Sequence, residues 1–176
     1  NGRAIPIPGD DPQASSWSLL KWNLDGFTKE SKIVEAQLIL TVVPDAGYTV
    51  KDAADSPLEA RPVPGGFTES NWDYSDATHY VPIGTETEIF GSASPATINP
   101  EGFKIVIDLM KGPSDFKDYF TKAMKKDKNI AIAITSRIDP ATLGREGIYK
   151  VYSKDATDPM TRPALRIVLD DSKKKK

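Results

Sequence analysis

The side chains best suited to chemistry in this 176-residue chain are cationic and aromatic. Lys150, Tyr152 and Lys154 alternate with Val151 and Ser153. In an extended strand such alternation puts the three on one face, provided that Val151 and Ser153 point inward. A tyrosine between two ammonium groups suits an acidic sugar, because the ring stacks and the cations meet carboxylates. Lys21, opposite Leu20 and Trp22, adds a cation to another strand. Arg137 continues an outward row of Ala131, Ala133 and Thr135. Small alanines there leave room for a ligand to lie across the sheet. Arg145 precedes the Lys150 strand and reaches toward the same region, and Arg162 lies in the next loop. An ordinary solvated surface is the plain alternative, since exposed Lys and Arg are the norm.

Other chemistries find less support. His79 is the sole histidine and there is no cysteine. Zinc–thiolate sites, disulfides, cysteine nucleophiles and two-histidine metal sites are therefore excluded. No G-x-S-x-G elbow, Walker A loop or dinucleotide fingerprint is present. The stretch from Asn71 to Asp76 superficially resembles a calcium loop. It lacks the glycine at position six and has Pro82 where the bidentate glutamate belongs, so it is not an EF-hand. No metal ligand set can be named. A structural calcium held by aspartates and loop carbonyls remains compatible with the sequence, and no other cofactor is implied. Net charge is −2, which gives no reason to invoke nucleic acid. No apolar run approaches the roughly 20 residues of a membrane span.

These side chains must be positioned by strands. Period-two alternation places Leu20, Trp22 and Leu24 on one face of the first. In a second, Val34, Ala36, Leu38, Leu40 and Val42 form an apolar face, with Glu35, Gln37 and Thr41 opposite. A third turns Phe103, Ile105, Ile107 and Leu109 inward, with Lys104 and Asp108 outward. Ile130, Ile132 and Ile134 define a fourth, and Leu165, Ile167 and Leu169 a last one with Arg166 outward. Weaker strands are expected near 48–52, 78–83, 86–90 and 148–153. Residues 53–77 and 91–100, rich in proline, glycine and other turn-formers, read as long loops. Phe116, Tyr119, Phe120, Ala123 and Met124 form a helical stripe, with Ser114 as the expected N-cap. Half-polar strands without βαβ alternation predict an all-β fold, an antiparallel two-sheet β-sandwich with one short α-helix. The length suits a single domain over 1–172, leaving 173–176 as a Lys-rich tail or the start of a linker.

Three segments, in order, carry a likeness to a known family. Leu19-Leu20-Lys21-Trp22-Asn23-Leu24 resembles the family's LLRFDL strand, and Ile33 to Val43 resembles its following ATLRLYV strand. Phe67-Thr68-Glu69-Ser70-Asn71-Trp72 resembles its W-x-E-x-x-V-T-W loop. Tyr152-Ser153-Lys154-Asp155 followed by Arg162-Pro163-Ala164-Leu165-Arg166-Ile167 resembles its S-R-E … R-P-x-L-x-V ending. Together they span roughly 17–170, and the chain resembles the disaggregatase-related (DNRLRE) domains, grouped with carbohydrate-binding module family 96. Phe67 departs from the first loop tryptophan, Lys154-Asp155 from Arg-Glu, and residues 1–16 show no clear extra strand. The resemblance implies a jelly-roll-like sandwich, monomeric within a larger secreted or cell-surface protein. It implies binding of a polysaccharide, some members taking the anionic polymer alginate, with no catalysis. Two other readings stay open. One is a structural or adhesive sandwich without a glycan. The other is a lyase using a tyrosine and a basic residue.

Overall fold

The computed structural model describes residues 18–28, 32–43, 57–63, 88–93, 104–126, 128–136 and 150–170. Within them the chain is mostly β, with two antiparallel sheets and one α-helix. Strands β1 (Ser18–Asn23), β2 (Ile33–Thr41), β3 (Leu58–Pro62), β4 (Gly91–Ala93) and β5 (Lys104–Asp108) precede helix α1 (Phe116–Lys126). Strands β6 (Asn129–Ser136) and β7 (Ala164–Leu169) follow it. One sheet has the order β1-β6-β3-β4 and the other β5-β2-β7. Among the described strands, only β3 and β4 are consecutive in the chain and adjacent in one sheet. The other connections pass between sheets.

Alternation decides what each strand buries. Leu38 and Leu40 of β2, Ile105 and Ile107 of β5, Ala60 of β3, and Ile130, Ile132 and Ile134 of β6 share one apolar cluster. Both sheets contribute to it, so their inward faces meet in a common core. Leu20 and Trp22 pack against this cluster, as do Leu165, Ile167 and Leu169. Apart from Val34, the described members of the expected inward sets are buried or packed against this core. The helix adds Phe116, Phe120 and Met124. Phe27 meets Phe120 edge to face at 5.4 Å.

The helix begins one residue later than the sequence suggests. Asp115, not Ser114, is its cap, because the Asp115 carboxylate accepts from the Asp118 amide at 3.1 Å. The Ser114 amide donates instead to the carbonyl of Ile89 at 3.0 Å. At the far end Lys128 takes a φ of 54°, in the left-handed region. Its amide donates to the Ala123 carbonyl at 3.0 Å and its carbonyl accepts from Leu24 at 2.7 Å. That reversal ends the helix and starts β6 beside β1.

Two strands lie where loops were expected. Residues 58–62 form β3, paired with β6 from Leu58↔Ser136 to Pro62↔Ile132. Pro62 is tolerated because β4 pairs only with Leu58 to Ala60. The Ala60 carbonyl accepts from Phe90 on the β4 side. Backbone groups two residues on point the same way, so the missing N–H of Pro62 faces a side where the ladder has ended. Strand β4 then brings Gly91 against β5 of the other sheet. A Cβ at Gly91 would lie 2.1 Å from the Asp108 carbonyl oxygen, so only glycine allows this approach.

Val34 also departs from expectation. It is 51% exposed, not part of the inward face. A register shift between Ile33 and Glu35 marks a β-bulge. The extra residue gives the inward place to Ile33, which is buried, and turns Val34 outward. The weaker strands expected at 48–52 and 78–83 lie outside the described residues. Of the strand expected near 86–90, 86–87 lie outside the described residues, 88–90 are not in a strand, and β4 begins at Gly91. Near 148–153 Val151 forms an isolated antiparallel bridge with Val42. Among the described residues no helix is long and apolar enough to cross a membrane.

Candidate functional site

The outward faces of the two sheets differ. On the β1-β6-β3-β4 sheet, Leu19 stands opposite Ala133 and Lys21 opposite Ala131. Glu59 stands opposite Thr135 and Arg61 opposite Ala133. This face is not an open floor. Ala133 and Glu59 are 0% and 1% exposed, and Ala131, Thr135 and Arg61 are buried as well. Val63, Ala131 and Ala133 form a second small apolar cluster with Leu19 against it. Buried charge is matched within the sheet: Arg61 meets Glu59 at 2.6 Å and donates to the Thr135 hydroxyl at 3.2 Å. The Tyr119 hydroxyl fastens one side, donating to the carbonyl of Val63 or Ala131 at 2.9 and 2.7 Å and accepting from the Val63 amide at 3.2 Å. The alanine row that suggested space for a ligand is therefore closed, and the reason is burial of this face.

The β5-β2-β7 sheet presents an open outward face. Its registry aligns Asp108, Gln37 and Arg166 in one row and Val106, Ile39 and Ala164 in the next. Lys104 stands opposite Thr41. On the far side of Thr41, the Tyr152 amide donates to its carbonyl at 3.0 Å, and the Val43 amide donates to the Lys150 carbonyl at 2.8 Å. Because Val151 bridges Val42 and packs toward the core, Lys150 and Tyr152 point outward. Lys104, Thr41 and Tyr152 thus form a third row, with Lys150 beside it. Adjacent strands are about 4.8 Å apart, so Lys104 and Tyr152 flank Thr41 across roughly 10 Å.

The charge on this face is graded. At one end Lys104 and Lys150 are exposed, Tyr152 is half-buried and Thr41 is buried between its neighbours. Among the described residues no carboxylate pairs with either lysine. At the other end Arg166 binds Glu35 at 2.9 Å and Gln37 at 3.1 Å, and Lys111 lies 3.6 Å from Asp108. Between the two ends lie Ile39 and Val106, the latter 44% exposed. The face runs from a basic, aromatic end through an apolar middle to a mixed, internally paired end.

The sequence-derived candidates are distributed unequally over these surfaces. Lys150 and Tyr152 stand together on the open face. Lys21 is exposed on β1 of the other sheet, facing away from them. Lys154 lies in a turn and not on the strand, because Ser153 is exposed and its hydroxyl accepts from the Asp155 amide at 3.2 Å. The Lys154 ammonium is held by Asp155 at 2.8 Å. That hydrogen bond, reinforced by the nearby charges of Lys154 and Arg162, keeps the Asp155 carboxyl below the usual range. Arg162 is anchored locally, donating from Nε to the Ala156 carbonyl at 2.9 Å. Arg137, Arg145 and His79 lie outside the described residues. Among the described residues no group of three or more histidine or carboxylate side chains could hold a metal ion.

Lys104, Thr41, Gln37 and Arg166 were not among the candidates. Their outward direction follows from alternation, but their proximity to Tyr152 follows only from pairing with β2. Comparison with protein-family models and with curated proteins gives no match for this chain.

Proposed function

We propose that this chain is a non-catalytic carbohydrate-binding module acting outside the cell. In this reading it holds an appended enzyme on an anionic polysaccharide such as alginate. The observation that carries the reading is the row Lys104, Thr41 and Tyr152, with Lys150 beside it, on the open face of the β5-β2-β7 sheet. A sugar ring stacks on the tyrosine while carboxylates on successive residues meet the two lysines. The apolar middle of the face accommodates the C–H side of a neighbouring ring. The paired Arg166, Glu35 and Gln37 supply donors and acceptors for hydroxyls. An open sheet face with one basic end suits an extended chain better than a small substrate enclosed for reaction.

Affinity electrophoresis tests this reading. The protein is run through gels containing alginate, pectin, cellulose or xylan. Retardation is expected in the alginate or pectin gel. It should weaken as salt rises through about 0.1 M, where the screening length falls to about 10 Å. Retardation only in the neutral glycans would remove the anionic ligand. Unchanged mobility in all four would favour a structural or adhesive module.

A further inference from the structure

A groove of about 440 Å³ separates the first half of α1 from the paired ends of β2 and β7. It lies apart from the Tyr152 row, at the opposite end of β2. Its floor is apolar, formed by Ile33 and Phe120, both buried in the core. One wall is Val34, which the β-bulge takes out of the core and leaves 51% exposed beside the groove. Bulges commonly re-aim a side chain at a working surface, and a half-exposed valine gains nothing from water. The wall is fixed because the Asp170 amide donates to the Lys32 carbonyl at 2.8 Å, tying the end of β7 to the entry of β2.

The rim is polar and complementary to a specific kind of ligand. Lys32 stands on the strand side and Lys117 on the helix side. Among the described residues neither ammonium is paired with a carboxylate, whereas Lys122 on the same helix is held by Asp118 at 2.7 Å. Thr121, one turn after Lys117, adds a hydroxyl, and Asp170 adds a carboxylate. An apolar floor and wall, two cations, a hydroxyl and one acceptor match a pyranose that carries a carboxylate. The C–H face lies on Val34, the carboxylate meets the lysines, and ring hydroxyls donate to Asp170. The volume is near the lower end of the roughly 300–1,000 Å³ range of small-ligand sites, which suits one or two sugar units and not a long chain.

We propose that this groove is a second site, taking a single uronate unit such as the end of an acidic glycan chain. The nature of the ligand rests on the carbohydrate reading above, but the site is spatially separate from the Tyr152 row. The test is a titration of ¹⁵N-labelled protein with D-glucuronate, with D-glucose and sodium chloride as controls at matched ionic strength. Saturable amide shifts are expected at 32–34 and 117–121 with glucuronate alone. They should weaken at least tenfold in affinity in a Lys32→Glu/Lys117→Glu variant. Both lysines are exposed, so the variant should keep the wild-type spectrum elsewhere. A groove that stays silent, or responds equally to glucose or salt, overturns the proposal. A silent groove with polysaccharide gels still retarding the protein refutes the second site alone. A filled groove without gel retardation refutes the polysaccharide module and leaves the groove as an acidic-sugar site.

Discussion

Arg61→Ala should lower the free energy of unfolding by about 3–5 kcal/mol. The basis is the closed face of the β1-β6-β3-β4 sheet. The Arg61 and Glu59 side chains are 9% and 1% exposed and meet at 2.6 Å. Removing the guanidinium takes the 2.6 Å Arg61 contact away from a Glu59 carboxylate that water scarcely reaches. It also removes the donor to the Thr135 hydroxyl. The penalty therefore comes mostly from what remains, not from the pair itself. The paired replacement Glu59→Leu/Arg61→Met removes both charges together and should cost far less than the single change. Urea denaturation of the three proteins measures the difference. A loss below about 1 kcal/mol in Arg61→Ala would mean that water reaches Glu59, and the face would count as open.

Phe90→Ala should have a comparable effect, about 3–5 kcal/mol, for a different reason. Phe90 is 1% exposed and sits where three parts of the fold join. Its ring meets Phe116 edge to face at 5.2 Å and Tyr119 at 5.0 Å, so it contacts the helix twice. Its amide donates to Ala60 of β3 at 2.8 Å, and its carbonyl accepts from Gly112 at 2.6 Å. The backbone bonds survive truncation, but the side chain leaves a cavity between the sheets and α1. Such cavities collapse incompletely in a packed interior. Tyr119 should loosen too, and with it the hydroxyl bridge to Val63 and Ala131. Phe90→Leu should recover much of the loss, since most of the apolar volume returns. Thermal melting followed by circular dichroism reads this directly, with a fall of roughly 10 °C expected for the alanine change. A shift of only a degree or two would place Phe90 at the periphery of the packing.

Physical reasons separate what could be read in advance from what could not. Strands β2, β5, β6 and β7 were legible because each carries long apolar alternation, which only a half-buried extended strand requires. The helix was legible from its stripe. Strand β3 was hidden because Pro57 and Pro62 bracket it and Glu59 and Arg61 look like solvent positions. The two charges neutralise one another across a single intervening residue, so a buried face reads as a polar loop. Strand β4 is only three residues long, with Gly91 required by its contact with β5, and carries no pattern to read. Val34 fitted the alternation perfectly, but a bulge changes the count by one and leaves no signature in residue types.

The candidate site shows the same limit. The outward directions of Lys150, Tyr152, Lys104 and Lys21 all follow from local alternation. Which of them are neighbours depends on strand pairing across distant parts of the chain. Pairing with β2 unites Tyr152 and Lys104, while Lys21 belongs to a different sheet. Local alternation places Lys154 on the strand, but the Ser153 and Asp155 turn begins one residue earlier and engages its ammonium.

The position of the glycan site is tested by comparing two variants with the wild-type protein in an alginate gel. One is Lys104→Glu/Lys150→Glu on the β5-β2-β7 face, and the other is Lys21→Glu on the opposite sheet. The first should lose retardation by about tenfold in apparent affinity or more, equivalent to about 1.4 kcal/mol. The second should migrate like the wild type, and both should unfold at wild-type urea concentrations. Loss of retardation in Lys21→Glu, with the double variant unaffected, would rule out the Tyr152 row and move the glycan to the other sheet.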